Sequence, residues 1–292
     1  MSNDSVIYTE EEGIAILTIN RPEKKNTLTE SVVQGIADGI DRATRSADVA
    51  AIVLRGQGDT FTAGYDLTQR EEQFDPAWGA PAIETREGAW DPVRDYRLMG
   101  NNVRRFMSIW ECPKPVLGEI RGWAIGGATD LVLCCDLLFM ADDAHIGYAP
   151  SRIYGTPTTM MWVYRLGLEH AKQYLLTGRA IDAETAYRIG LVSHVLPPDE
   201  LSAAVEAEAR RFCHIPANQL ALNKMLINQA FENMGLRTTQ MLGTFFDGVT
   251  RHTEEGYRWV EAFGEKGFRE VIRERDRPWQ DYGEGRDKGD DG

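Results

Sequence analysis

Ile120-Arg121-Gly122-Trp123-Ala124-Ile125-Gly126-Gly127-Ala128-Thr129-Asp130-Leu131 decides how the chain is organised. It begins where the apolar run Pro115 to Ile120, which reads as a strand, gives out, and it turns on glycines into a helical segment through Asp130 to Cys135. The apolar run Leu137 to Ala141 follows, so the order is strand, glycine turn, helix, strand. Upstream, Val6 to Thr9 and Ile14 to Asn20 alternate apolar and polar residues around Glu11-Glu12-Gly13, which predicts an antiparallel hairpin. Residues 30 to 45 then carry Val32, Val33, Ile36, Ile40 and Ala43 at helical spacing behind Thr29 as N-cap, and Ala51 to Arg55 reads as a further strand. An amphipathic segment from about 98 to 110 leads into the second unit. Repeated strand–helix units of this kind wind into a mixed α/β core.

From Pro197 the strand signals stop. Helical patterns cover 199 to 213, 217 to 234, 236 to 250 and 253 to 274, the last opening on Thr253-Glu254-Glu255 as cap and first turn. The chain therefore divides into residues 1–198, an α/β core, and residues 199–292, a helical part. Its acidic tail, Asp281 to Gly292, has almost nothing to bury and is expected to be disordered. Residues 68 to 100, with Pro76, Trp78, Pro81, Trp90, Pro92 and many acids, interrupt the rhythm; a lid or pocket wall and a solvated excursion both fit.

With 292 residues, 42% of them hydrophobic, the chain can bury a substantial core. A net charge of −13 offers no basic stripe to a nucleic-acid backbone and is repelled by anionic membranes, so any phosphate site has to be built locally. No apolar run approaches the ~20 residues of a membrane helix, and Met1 to Asp4 carry no leader pattern, so a cytoplasmic protein is expected. Cysteines 112, 134, 135 and 213 lack CxxC spacing, which predicts free thiols, and five scattered histidines predict no metal site.

A second glycine turn, Gly58-Asp59-Thr60-Phe61-Thr62-Ala63-Gly64-Tyr65-Asp66-Leu67, also follows a strand. Glycines let backbone N–H groups face a ligand closely, and two N–H groups converging on one oxygen stabilise an enolate or tetrahedral anion. Loss of one such donor costs roughly 3 to 4 kcal/mol. The same composition also describes two tight turns with no ligand. Neither has the full GxGxxG spacing of a dinucleotide site at the first strand.

Together these segments resemble the crotonase superfamily, the enoyl-CoA hydratase/isomerase family. The resemblance rests on Asn20-Arg21-Pro22 with Asn26-Thr27-Leu28, the Phe61 to Leu67 loop, Lys114-Pro115-Val116, Gly122 with Gly126-Gly127, and Cys135-Asp136. Leu176-Thr177-Gly178, Ala186 with Gly190-Leu191-Val192, and Thr253-Glu254-Glu255-Gly256 extend it over most of the chain. It implies an α/β fold, a crotonase-like spiral of ββα units with an α-helical C-terminal trimerisation part, assembled as a homotrimer or a dimer of trimers. The implied partner is an acyl-CoA thioester of fatty acid metabolism, coenzyme A being part of the substrate, with no permanently bound cofactor and no metal.

On the matching positions, the resemblance implies an oxyanion hole from the backbone N–H groups of Tyr65 and Gly127. It places the adenine and pantetheine near Lys25, Thr27, Ala63, Asp66 and Leu67, with Gly126 and Trp123 beside the acyl group. Lys25 could offset a phosphate charge, or be a solvated surface lysine; Trp123 could wall the pocket, or be core. Hydratases of this family use two glutamates. Here the first aligns with Asp130 and the second falls near Pro150-Ser151, where no carboxylate stands. Asp130 is the expected proton-handling group, and partial burial would raise its pKa. Ser151 is the paired candidate, with Tyr148, Arg152 and Tyr154 as polar neighbours, and Glu119, Glu71 or Glu72 could supply a second carboxylate. Hydration is the expected reaction; isomerisation, C–C bond hydrolysis and non-catalytic acyl-CoA binding are the alternatives.

Overall fold

A tight turn at Glu12 and Gly13, both with positive φ, folds strand β1 (Val6–Glu11) antiparallel onto β2 (Ile14–Ile19). The computed structural model describes residues 5–66 and 89–282. β3 (Ala51–Gly56), β4 (Val116–Ile120), β6 (Leu137–Ala141) and β9 (His194–Leu196) add to β2 in parallel, in the order β1-β2-β3-β4-β6-β9. Parallel strands need crossovers that cover both faces of the sheet, which is why Ala51-Ile52-Val53-Leu54 is buried without alternation.

Helix α1 (Glu30–Arg45) supplies the first crossover; its N-cap Thr29 accepts from Val32 N. The crossover between β3 and β4 ends in α2 (Pro92–Glu111), which is longer than the amphipathic signal at 98 to 110. Asp91 caps it by accepting from Val93 N and Arg94 N, and Pro92 takes the first helical position, where its missing N–H has no intrahelical partner to lose. Residues 92–100 are thus helix rather than the loop expected there. Residues 67–88 lie outside the described residues, and with them the lid reading, Leu67, Glu71, Glu72 and Trp78. α3 (Gly127–Val132) connects β4 to β6, and α6 (Pro198–Arg211) closes the opposite face.

A smaller sheet stands beside the first, formed by β5 (Trp123–Ile125), β7 (His145–Gly147) and β8 (Ile181–Asp182). Its strands are two or three residues long, too short for a periodic signal. It matters because Gly147 O accepts from Gly126 N at 2.9 Å, pinning the glycine turn. α4 (Met161–Thr177), also without a clear sequence signal, is broken by Gly167 at φ 70. α5 (Ala183–Arg188) precedes β9.

The C-terminal helices are α7 (Ala217–Asn233), α8 (Leu236–Arg251), α9 (Glu254–Lys266) and α10 (Phe268–Asp276). The single helix expected over 253 to 274 breaks at Gly267, φ 81. α8 lies along α2, joining the C-terminal part to the crossover before β4. The start of the tail is not disordered: Asp281 accepts from both terminal nitrogens of Arg152 at 2.8 and 2.7 Å, and the Tyr282 ring is buried. Arg152 offers a charge partner that composition could not reveal. Residues 283–292 lie outside the described residues.

Candidate active site

The two glycine turns lie side by side, backbone against backbone. Phe61 N donates to Arg121 O, Thr62 N to Trp123 O and Ile125 N to Thr62 O, at 2.8, 3.1 and 3.3 Å. Leu28 N reaches Gly64 O at 2.8 Å and anchors the other edge of the first loop. A side chain could not enter this junction: a Cβ at Gly64 would lie 2.5 Å from Ile125 O, and one at Gly127 would lie 2.5 Å from the Tyr65 ring. Gly64 itself sits at φ 90, where only glycine rests without strain. The same Gly64 Cβ position is 3.6 Å from Gly127 N, so the loop that carries Gly64 and Tyr65 lies against the opening of α3. Among the described residues neither Tyr65 N nor Gly127 N donates a hydrogen bond. Gly126 N is spent on Gly147 O and is structural.

Asp130 stands on the first turn of α3 and is 1% exposed. Its Oδ1 accepts from Thr159 N at 2.8 Å and from Thr159 Oγ1 at 2.9 Å. Burial is the largest influence on its carboxyl and pushes it up to about 6 against the pull of those donors, with Asp247 adding a smaller push in the same direction. Around it stand Tyr65 and Tyr148, whose phenols are driven upward by burial and then by the charges of Asp130 and Asp247. The Tyr65 hydroxyl is buried without a hydrogen-bond partner among the described residues; Asn102 lies beside it outside bonding geometry.

Asp247, on α8, is the acid that sequence reading missed. A signal was present: Gln240, Thr244, Asp247 and Arg251 recur at helical spacing as a buried polar stripe. Arg251 Nη2 lies 2.6 Å from Asp95 Oδ1 and 3.3 Å from Asp247 Oδ2, while Trp90 Nε1 donates to Asp95 Oδ2 at 3.1 Å.

Glu119, considered above as a substitute, is not at this site. On β4 its neighbour Gly118 faces α3, so strand alternation turns Glu119 toward α6. There its Oε1 accepts from Arg121 Nε at 2.8 Å and Ser202 Oγ at 2.7 Å.

In the turn that follows β7, Pro150 touches Gly126, whose Cβ would lie 3.2 Å from Pro150 Cγ. Ser151 is exposed at this turn, unlike the buried Asp130. Arg152 is committed to Asp276, Asp281 and Thr177 O. Trp123 is half-buried, its ring 4.8 Å from His145 and 5.7 Å from Tyr282 on the small sheet.

At the other end of the first loop, Arg21 Nη2 pairs with Asp66 Oδ2 at 3.0 Å, and Thr27 Oγ1 accepts from Arg21 Nη1 at 3.0 Å. Asp66 and Thr27 thereby hold the loop on Arg21. Lys25, at φ 49, pairs loosely with Asp59 at 3.2 Å, both side chains exposed, and exposed Ala63 donates its N–H to Lys25 O.

The enoyl-CoA hydratase/isomerase family model matches residues 9–270. The chain belongs to that family. Similar solved structures include an enoyl-CoA hydratase from Mycobacterium smegmatis, with a TM-score of 0.88 and 36% identity, covering 97% of this chain and 98% of that one. A crotonyl-CoA hydratase from Syntrophomonas wolfei is 31% identical over 242 residues, 82% of this chain and 85% of its own. A short-chain-enoyl-CoA hydratase from Clostridium acetobutylicum is 29% identical over 279 residues, 94% of this chain and all of its own length. The family fold accounts for the ββα spiral with its helical C-terminal region. Among the described residues no helix is long and apolar enough to cross a membrane, and no group of His, Cys, Asp or Glu could hold a metal ion.

Proposed function

We propose that this family member is an enoyl-CoA hydratase acting through a thioester enolate. The observation that carries the reading is the pairing of two N–H groups without partners among the described residues, Tyr65 and Gly127, with a buried carboxyl whose pKa lies about 6, Asp130. The N–H groups hold the thioester oxygen as it gains charge, an oxyanion hole made of backbone alone. Asp130, three residues beyond Gly127, is nearest the α carbon and exchanges a proton with it. The names of the hydratases from S. wolfei and C. acetobutylicum support crotonyl-CoA and short enoyl-CoA thioesters as first substrates.

Coenzyme A is part of the substrate, and no resident cofactor or metal is required. Lys25, Thr27, Ala63, Asp66 and Leu67 are proposed to flank the adenine and pantetheine, with Arg21 fixing Thr27 and Asp66. Gly126 and Trp123 border the acyl group, and Ser151, being exposed, meets substrate without carrying the proton. Residues 1–198 carry the oxyanion hole, Asp130 and the coenzyme A contacts, and residues 199–292, whose helix α8 packs along α2, assemble the chain as a homotrimer or dimer of trimers. Support for assembly comes from the exposed apolar side chains Leu222, Met225, Leu226 and Ile227 on α7. The proposed location is the cytoplasm.

Mass spectrometry of crotonyl-CoA incubated with the protein should show gain of one water. Asp130→Asn should lower kcat by roughly 10²- to 10⁴-fold with KM little changed; an unchanged rate would remove Asp130 from its role. The aspartate at this position, and the serine where the family has its second glutamate, favour double-bond isomerisation as a second reading. The pH profile separates the two. Delivering a proton to the α carbon needs the acid form, so hydration kcat/KM should fall as pH rises through about 6. Removing an α proton needs the anion, so isomerisation should rise over the same range.

A further inference from the structure

The second glutamate of the family is missing from its usual loop, yet a second carboxylate reaches Asp130's neighbourhood from the other end of the chain. We propose that Asp247 is the second acidic group of the site and, with the hydroxyls of Tyr65 and Tyr148, holds the water that adds to the β carbon. This rests on the hydration reading above.

Two turns of α8 straddle the strip of chain that carries Asp130's donors. Gln240 Nε2 donates to Thr159 O at 3.0 Å, and Thr159 is the residue that bonds Asp130. Thr156 Oγ1 donates to Gly243 O at 2.8 Å, and Asp247 Oδ1 accepts from Thr156 N at 3.3 Å. Gly155 marks where Asp247 arrives: a Cβ there would be 3.3 Å from Asp247 Oδ1, 3.6 Å from Tyr148 Oη and 3.3 Å from Pro150 Cβ. Pro150 in turn touches Gly126, the residue before the proposed oxyanion donor. The carboxylate and the phenol therefore border the same gap at Gly155, close to the glycine turn. Any side chain at Gly155, which sits at φ 119, would enter that gap.

Tyr65 is the second independent observation. Its hydroxyl is buried without a partner among the described residues, and the two acids whose charges bear on it are Asp130 and Asp247. A buried phenol left unsatisfied is costly, and a water or a β-hydroxyl placed between the two acids supplies the missing bond. The two acids are made unlike by their surroundings. Asp247 has Arg251 beside it, itself shared with Asp95 on α2. Asp130 has the Thr159 donors and the phenols of Tyr65 and Tyr148 around it, with burial as the largest influence. One acid is thus paired with a cation; the other is buried with a raised pKa and suited to give a proton.

Asp247 takes a proton from the water as the water oxygen bonds to the β carbon. The π electrons of the C=C bond pass into the thioester, whose oxygen becomes the enolate held by Tyr65 N–H and Gly127 N–H. Asp130 gives its proton to the α carbon as the enolate collapses to the 3-hydroxyacyl thioester. A proton then leaves Asp247 and another returns to Asp130 through solvent.

Two reactions of the full-length protein test the assignment: hydration of crotonyl-CoA, and exchange of solvent deuterium into the α position of butyryl-CoA, which has no double bond to hydrate. Asp247→Asn should lower hydration kcat by roughly 10²-fold or more with KM within about threefold, while exchange stays within about threefold of wild type. Asp130→Asn should lose both reactions. Tyr148→Phe, which alters no charge and leaves Arg251 paired, should lower hydration about tenfold and spare exchange, so the assignment can be read even if Asp247→Asn does not fold. Asp95→Asn removes Arg251's nearer partner but leaves Asp247 in place, and should move both reactions together if it moves either. Hydration by Asp247→Asn at the wild-type rate, or a parallel loss of exchange and hydration in both Asp247→Asn and Tyr148→Phe, would overturn the assignment while leaving the hydratase reading intact. A wild-type protein that exchanges the α proton but hydrates no enoyl thioester would overturn both.

Discussion

Glu119 and Asp130 belong to the same strand–turn–helix unit, and each is only 1% exposed. Their surroundings differ completely. Glu119 points to the α6 side of the sheet, where Arg121 is 2.8 Å away, Ser202 donates at 2.7 Å and Arg55 approaches to 3.9 Å. Asp130 points to the other side and is met by the Thr159 donors, so burial rather than a counter-charge sets its pKa. Burial alone does not make a carboxyl reactive. A neighbouring guanidinium turns a buried acid into a structural pair, whereas a buried acid without one keeps its proton into the neutral range.

The comparison breaks first at Glu119. Glu119→Gln should cost about 3 kcal/mol in denaturant unfolding, because part-buried Arg121 loses its charged partner at 2.8 Å; a melting curve like wild type would show that the pair contributes nothing. The opposite sign is expected at Asp130. Its folded pKa of about 6 lies above the ordinary value of 3.8 that it regains on unfolding, so its favourable contribution is complete below the unfolded value and lost as pH climbs through about 6. Above about pH 7 the ionised carboxylate therefore burdens the fold, and Asp130→Asn should stabilise it by about 2 to 3 kcal/mol. The gain should vanish near about pH 4; a pH-independent difference would deny that ionisation is its cause. The smallest effect is expected in the surface pair. Lys25→Ala should leave stability within about 1 kcal/mol and raise KM for the CoA ester several-fold, since both Lys25 and Asp59 are solvated. An unchanged KM would take Lys25 out of the proposed CoA site.

Much of the site was legible locally. Gly64 and Gly127 stand where the backbones of two loops touch, and glycine in a strand-to-helix turn is a sequence signal whatever the partner. Asp130 was legible through its place three residues beyond Gly127. Glu119 looked like an acid in need of a partner; that it found Arg121, on the α6 side, depends on which face of β4 it occupies. Asp247 carries no local mark of its role, only a place in a buried polar stripe that becomes visible once the helix has something to bury against. Asp281 read as part of a solvated tail because Arg152, its partner, is far away along the chain.

The sequence by itself determined the hairpin, α1, the parallel strands β3, β4 and β6 and most of the C-terminal helices, because the periods of strand and helix are properties of the backbone and show in neighbouring residues. Helix α3 and the glycine turn before it belong to the same class. The tertiary structure alone decided which acids lost their counter-charges, which N–H groups were left without partners, and that Asp247 would lie beside Gly155. Those outcomes depend on segments distant in sequence meeting in space, and on electrostatics whose sign and size follow from burial and from the nearest charge rather than from residue type.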